Sequence, residues 1–174
     1  TDRVLRSAAD AENPRSPVAA VHRPPGASPR DLNTVVLVDI ADPGNVGTMI
    51  RTAAAFGWDV AVTPRTADVW SPKVLRAGAG AHFSTSIIEV EDPLVFKSSH
   101  TVIATEPGGP AMSVRGGAPY AVLIGSEAHG LEPRVVEGAD LQLSVPMDGR
   151  IESLNASVAA GIAMFIVDHT TSDT

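Results

Sequence analysis

The sequence predicts an α/β fold in which a mostly parallel sheet is covered by helices on both faces. Segments rich in β-branched residues alternate along the chain with segments whose apolar residues recur at helical spacing. The strand-like segments are continuous apolar runs without polar alternation, which is typical of strands buried on both faces. With 174 residues, 44% of them hydrophobic, the chain is long enough for one α/β core.

The first predicted unit is a strand followed by a helix. Thr34–Ile40 (TVVLVDI) is predicted as a buried strand because of its β-branched residues, and Asp42-Pro43-Gly44 turns the chain. Asn45–Phe56 follows as a helix with one apolar face, and Gly57 is its expected C-cap.

The remaining elements follow the same alternation. A helix begins at Ser71-Pro72, where a capping serine precedes a proline at the first helical position. The last helix is expected from about Leu154 to His169, with Ser153 at its start. The other predicted strands are Asp59–Thr63, Thr85–Val90, His100–Thr105, Tyr120–Ile124 and Leu141–Val145.

Composition excludes several classes of protein. Thirteen basic and 20 acidic residues give a net charge of −7, which excludes a binder that is basic all over but leaves room for a local basic site. The absence of cysteine excludes disulfides and thiolate zinc sites, and the five histidines lack metal-site spacing, so no metal is expected. No apolar run is long enough for a membrane helix, and we expect a cytoplasmic protein cut from a longer one.

The first 31 residues differ from the rest of the chain. Residues 1–30 hold five of the 14 prolines and carry a net charge of +2, which leaves −9 for the remainder. We interpret residues 1–31 as a linker or the end of another, N-terminal domain, and residues 32–174 as the main domain.

Polar and glycine-rich loops follow four of the predicted strands, where open α/β sheets bind their ligands. These loops are Asp42–Arg51, Glu106–Gly109, Gly125–Gly130 and Pro146–Asn155. Taken singly, some of their residues also have purely structural explanations. Asn45 and Ser153 are possible helix caps, and Gly47 could allow its helix to approach the sheet.

Together the loops resemble the three motifs of the SpoU (TrmH-type) branch of the SPOUT RNA methyltransferases. The matching segments are Asn45-x-Gly47-x-x-x-Arg51, Gly125-x-Glu127-x-x-Gly130-Leu131, and Val145-Pro146-Met147-x-Gly149 followed by Ser153-Leu154-Asn155. They occur in the family's order and spacing between residue 34 and about residue 167. Ser126 stands where the family often has asparagine.

The resemblance implies a methyl transfer from S-adenosylmethionine to a ribose 2′-hydroxyl of RNA, without a metal. It also implies a homodimer with the active site at the interface. From the elements alone the sheet would be Rossmann-like and unknotted, whereas the resemblance implies a trefoil knot formed by the C-terminal segment.

Residue roles follow from the resemblance in the same way. Arg51 is expected to clamp a phosphate and to stabilise developing alkoxide charge, because a guanidinium is a poor general base. The residues expected to position it, the ribose and the cofactor are Asn45, Glu127, Ser153 and Asn155. Those expected to contact the cofactor are Thr105, Gly125, Val145, Met147 and Leu154; we expect the cofactor to need the glycine at 125 because it approaches that backbone closely.

The substrate is expected to be ribosomal RNA, because the chain ends without the C-terminal helical extension usual in members that act on transfer RNA. Two alternatives stay open at this point: a transfer RNA 2′-O-methyltransferase, and a knotted module that binds nucleotide or RNA without catalysis. Methylation of ribosomal RNA that confers antibiotic resistance would use the same chemistry.

Overall fold

The computed structural model describes residues 21–107, 119–148, 150 and 153–170, which form a sheet of six parallel strands flanked by helices. The strands are β1 (Thr34–Leu37), β2 (Asp59–Val62), β3 (Ile87–Glu89), β4 (Thr101–Thr105), β5 (Tyr120–Ile124) and β6 (Leu141–Leu143). The helices are α1 (Pro43–Phe56), α2 (Pro72–Gly78), α3 (Pro133–Gly138) and α4 (Ala156–Thr170), with 3₁₀ turns at Ala81–Phe83 and Pro93–Ser98. Most of residues 1–31, together with Gly108, Gly109 and Gly149, lie outside the described residues.

The sheet is packed on both faces. Its strand order is β3-β2-β1-β5-β4-β6, and every neighbouring pair is parallel. Successive side chains of a strand point to opposite faces, so Leu37 packs with Met49 of α1 and Met164 of α4. Val36 packs on the other face, in a cluster that includes Val135 of α3. The predicted α/β class, with helices on both faces of a parallel sheet, is therefore confirmed.

The helix starts differ from those expected. The Asp42 side chain caps α1 by accepting a hydrogen bond of 2.8 Å from the Asn45 backbone N–H. At α4 it is Asn155 whose side chain accepts from the Ser157 N–H at 2.9 Å, and the helix begins one residue later. Asn45 and Ser153 therefore are not caps, and the side chain of Asn45 is free for other contacts. Gly57 does cap α1, with a left-handed φ of 73°.

The segment before β1 is tied to the amino edge of the sheet. The Arg30 guanidinium forms a two-point ion pair with the fully buried carboxylate of Asp59. The Asn33 side chain accepts from the backbone N–H of Tyr120 at 2.9 Å, and a ring nitrogen of His100 lies 3.0 Å from the carbonyl oxygen of Leu32. These contacts fix the segment at one edge and leave the carboxyl edge to the loops that follow the strands. No helix in the described part of the chain has the length and apolarity needed to cross a membrane.

A close contact between α1 and α2 depends on Gly47. A Cβ at this position would lie 2.5 Å from Cβ of Ala77 and 2.6 Å from the carbonyl oxygen of Val74. The expected approach of Gly47 to the sheet is therefore wrong, since its neighbour is helix α2. This contact positions the first turn of α1.

Gly47→Ala is expected to lower the free energy of unfolding by about 1–3 kcal/mol, because the added methyl group overlaps α2. Gly161→Ala is the matched control, since it is also helical and its Cβ would meet, among the described residues, Thr52 Cγ2 at 3.9 Å. The control should gain up to ~1 kcal/mol of helix propensity. Urea denaturation measures both, and equal stability of the two variants would contradict the close packing.

Candidate functional site

The predicted loops meet at the carboxyl edge of the sheet, where the order of the strands reverses. The chain runs outward from β1 through β2 to β3 in one direction, while β5, β4 and β6 lie on the other side of β1. Ligands of open α/β sheets bind beside such a reversal. The ends of β1, β5, β4 and β6 are consecutive there, so the loops after them become neighbours.

A cleft of about 440 Å³ opens over the ends of β4, β5 and β6. Its floor is apolar and is formed in part by Ile124, Leu143 and Ala156, all of them buried. All five residues predicted to contact the cofactor line it: Thr105, Gly125, Val145, Met147 and Leu154. The predicted catalytic residues Glu127, Ser153 and Asn155 line it as well.

A hydrogen-bonded row joins three segments beside this cleft. Asn155 Nδ2 donates to Asn45 Oδ1 at 3.0 Å, and Asn45 Nδ2 donates to Glu127 Oε1 at 2.8 Å. These residues are up to 110 positions apart in the sequence. The row therefore connects the first turn of α1, the loop after β5 and the start of α4.

The loop after β5 folds back on itself. The Gly130 N–H donates to the Ser126 carbonyl oxygen at 2.8 Å, and Gly130 has a left-handed φ of 66°. A Cβ at Gly125 would lie 2.3 Å from the Gly130 carbonyl carbon and 2.5 Å from the Leu131 nitrogen. The loop's own backbone therefore requires a glycine at 125, which differs from the expected reason of close approach by a cofactor.

Arg51 lies apart from the other predicted residues. It is exposed on α1, six positions beyond Asn45, and is not part of the cleft lining. Its guanidinium forms no hydrogen bond or ion pair with another described residue.

One contact at this edge carries no signal in the sequence. The Arg65 guanidinium binds Asp39, two residues after β1, and its Nη2 lies 3.3 Å from Glu132 Oε1 beyond the loop after β5. The hydrogen bond from Arg65 lowers the pKa of the Asp39 carboxyl, against the opposing effect of burial. Arg65 thus links residues next to two of the site loops. No sequence motif identifies it, because its partners Asp39 and Glu132 are 26 and 67 positions away in the sequence.

Two other kinds of site do not fit the predicted residues. A second cavity of about 310 Å³ lies over the ends of β2 and β3, but it contains none of the predicted site residues. The described residues hold no group of three or more metal-ligating side chains. The cleft and the hydrogen-bonded row are therefore the candidate site.

Known proteins resemble this chain over most of its length. Residues 33–165 match the model of the SpoU rRNA methylase family. A curated relative from Bacillus subtilis, the 23S rRNA (guanosine(2553)-2′-O)-methyltransferase RlmP, is 35% identical over 164 residues, which is 90% of this chain and 66% of the relative.

Solved structures of RNA methyltransferases are similar to this chain as well. An AdoMet-bound rRNA methyltransferase from Sinorhizobium meliloti superposes with a TM-score of 0.71 and 32% identity, over 79% of this chain and 56% of that one. The SpoU methyltransferase AviRb from Streptomyces viridochromogenes, in complex with AdoMet, gives a TM-score of 0.73 and 28% identity, over 82% and 61%. The chain thus spans less than two thirds of each of these proteins.

Asn45→Asp is expected to loosen the loop after β5, because it removes the donor to Glu127 and places a second carboxylate beside it. The Gly130 amide, which is bonded within that loop, should exchange hydrogen about five-fold faster, a loss of roughly 1 kcal/mol.

Adding Glu127→Gln to this variant supplies an amide that can donate to the carboxylate at position 45, so slow exchange should return. Thr48→Ala is the control, since Thr48 lies on the same helix turn and bonds the carbonyl of Gly44 instead. If Asn45→Asp and Glu127→Gln had additive effects on the exchange of the Gly130 amide, the hydrogen bond between positions 45 and 127 would be contradicted.

Proposed function

The chain belongs to the SpoU rRNA methylase family, and on that premise we propose that it transfers a methyl group from S-adenosylmethionine to a ribose 2′-hydroxyl of RNA. Ribosomal RNA is the favoured substrate. The observation that carries the proposal is that the second and third motifs line one cleft, and that Asn45 of the first motif joins them through the row from Asn155 to Glu127. Because the chain spans under two thirds of the B. subtilis relative, this activity is proposed for the whole protein.

The cleft suits the proposed cofactor. Its volume of about 440 Å³ lies within the ~300–1,000 Å³ usual for small-molecule sites. Val145, Met147 and Leu154 offer apolar surface to an adenine ring and a methylene chain, and the backbone at the strand ends offers hydrogen bonds. Bound there, the cofactor supplies an electrophilic methyl group on a positively charged sulfur.

The protein's part in this reaction is to position the ribose and to stabilise charge. Glu127 and Asn155 border the cleft and are held in place through Asn45, so the row fixes the polar side of the site. As the ribose hydroxyl loses its proton, negative charge develops on its oxygen, and the Arg51 guanidinium stabilises that charge while holding the adjacent phosphate. Ser153, which is exposed and lines the cleft, is proposed to bind the ribose.

Two chains are proposed to complete each site. Val158 and Phe165 are about half exposed and lie seven residues apart on α4, hence on one face of the helix. This apolar stripe belongs to the helix that packs against α1, which carries Arg51. A homodimer formed on this surface would bury the stripe and bring Arg51 to the cleft of the partner chain.

Three further features belong to the same proposal. A C-terminal trefoil knot around the cofactor is proposed from the family resemblance, with the loop after β5 and the segment before α4, which both line the cleft, as its two loops. Residues 1–31 are proposed as the connection to an upstream RNA-binding domain, and ribosomal RNA as substrate would place the activity in the cytoplasm.

Ala159→Phe is expected to abolish cofactor binding, because Ala159 lines the cleft and the ring would fill it. Isothermal titration with S-adenosylmethionine should show binding to the wild type and a loss of at least ten-fold in the variant. Ala128→Phe, on the exposed side of the loop after β5, is the control and should bind normally. Transfer of a tritiated methyl group to ribosomal and transfer RNA transcripts then tests catalysis, and a folded wild type that does not bind the cofactor would refute the proposal.

Arg51→Lys should lose most methyl transfer while it binds the cofactor normally, since the charge is kept but the planar fork is lost. Mixed dimers of Arg51→Lys and Ala159→Phe chains should regain activity, because the intact cleft of the first receives the intact Arg51 of the second. Activity after co-expression and tandem-tag purification measures this. A mixed dimer as inactive as its parents would show that Arg51 does not act across the interface.

A further inference from the structure

A small aromatic cluster lies on the surface next to the candidate site. The Trp70 ring lies 6.3 Å from the Phe83 ring and 5.5 Å from the His82 ring, measured between centroids. Phe83 is 56% exposed, although it is one of only four phenylalanines in the chain. Phe83 and the partly exposed Trp70 together present aromatic surface to solvent.

The buried His82 side chain holds the aromatic cluster in place. His82 is buried, with a ring nitrogen 2.9 Å from the carbonyl oxygen of Val69, which ties the turn bearing Phe83 to the segment bearing Trp70. Burial lowers the pKa of His82, so the imidazole is neutral at pH 7 and donates through Nε2. Gly78 allows the ring to pack closely, since a Cβ there would lie 2.5 Å from His82 Cε1. The exposed ring of Phe83 is therefore preorganised.

Cations surround the cluster. The Arg23 guanidinium lies 5.5 Å above the Trp70 ring, and Lys73 and Arg76 are exposed on α2, the helix that starts two residues after Trp70. Asp68 lies 3.8 Å from Arg23 and lines the neighbouring cavity together with Glu89 and Glu91. Lys73 and Arg76 are not part of that acidic cavity lining, so the exposed side of α2 is where phosphates can be contacted.

The cluster is also near the cleft. The turn Ala81–Phe83 and helix α2 both pack against α1, and α2 touches α1 at Gly47, two residues from Asn45 of the hydrogen-bonded row. A strand that enters the cleft can therefore cross the first turns of α1 and reach Phe83.

We propose that Phe83 and Trp70, with Arg23, Lys73 and Arg76, form a stacking platform for an unpaired nucleotide of the RNA, beside the nucleotide that is methylated. Arg23 covers one face of Trp70, so the base stacks on the open ring of Phe83 while the lysine and the arginines contact its flanking phosphates. Stacking of this kind accepts any base, and the phosphate contacts make it dependent on salt. This inference rests on the proposed RNA substrate but not on the chemistry of methyl transfer.

The two tryptophans make the platform directly measurable. Trp58 is buried and bonded to Asp168, so Trp58→Phe leaves Trp70 as the single tryptophan reporter. A 12-nucleotide oligouridine titrated into this variant of the 174-residue chain should quench the fluorescence of Trp70. Fluorescence anisotropy of labelled oligouridine with the otherwise wild-type chain provides an independent measurement should Trp58→Phe unfold.

Phe83→Ala should weaken oligouridine binding at least five-fold, in line with the known contribution of base stacking. Phe83→Tyr keeps the ring and should bind within two-fold of wild type. Val95→Ala removes a comparably exposed apolar side chain on the opposite face of the sheet and should have no effect. Lys73→Ala should weaken oligouridine binding. It should also make the slope of log affinity against log salt concentration shallower, by the amount that about one phosphate contact contributes.

Unchanged affinity in Phe83→Ala, or the absence of quenching, would overturn the platform. A change in the sedimentation mass of Phe83→Ala would also overturn it, since the surface would then join two copies of this chain. Titration of Phe83→Ala with S-adenosylmethionine should match wild type and separates the two proposals. If oligouridine binds through Phe83 but no RNA is methylated, the proposed enzymatic function fails while the platform stands.

Discussion

The hydrogen bonds from Asn155 through Asn45 to Glu127 are the constraint on which the candidate site depends. Parallel strands fix the ends of β1 and β5 side by side, but the backbone ladder does not fix the loops that leave those ends in different directions. A carboxamide at position 45 can accept from one neighbour and donate to the other at once. A carboxylate could not donate to Glu127, and Asn45 is not needed as a cap because Asp42, directly before the helix, takes that role.

Two glycines allow close backbone contacts beside the hydrogen-bonded row. Gly47 lets α2 lie against the first turns of α1, and Gly125 lets the loop after β5 close on its own Gly130 and Leu131. In both places a Cβ would collide with protein atoms, so packing shapes the site before any ligand arrives. Arg65 adds a brace between Asp39 and Glu132 at the base of the same loops. The site is thus largely preorganised, which reduces the ordering cost of binding.

Sequence patterns predicted the strands more accurately than the strand ends, the short helix and the side-chain contacts around them. The run Tyr120–Ile124 matched its strand to the residue because five apolar residues in succession suit a central parallel strand. The first strand ended earlier than predicted, since Asp39 turns the chain with a φ of 59°. Helix α3 was missed because six residues are too few to show a period. The site residues came from motif spacing, whereas the bonds among them depend on side-chain geometry that no local pattern contains.

The acidic charge of the chain limits how RNA could be attracted. Several cations are already paired with carboxylates, namely Arg30 with Asp59, Arg65 with Asp39, Lys97 with Asp140 and Arg134 with Asp92. Arg51 and Lys73 have no ion-pair partner among the described residues, and both lie on the helices that border the cleft and the aromatic cluster. Because screening confines charge effects to about 8 Å at physiological salt, these cations act on phosphates only in contact. Affinity then depends on shape and stacking at short range, and a rigid exposed ring beside the cleft contributes where a broad basic surface is lacking.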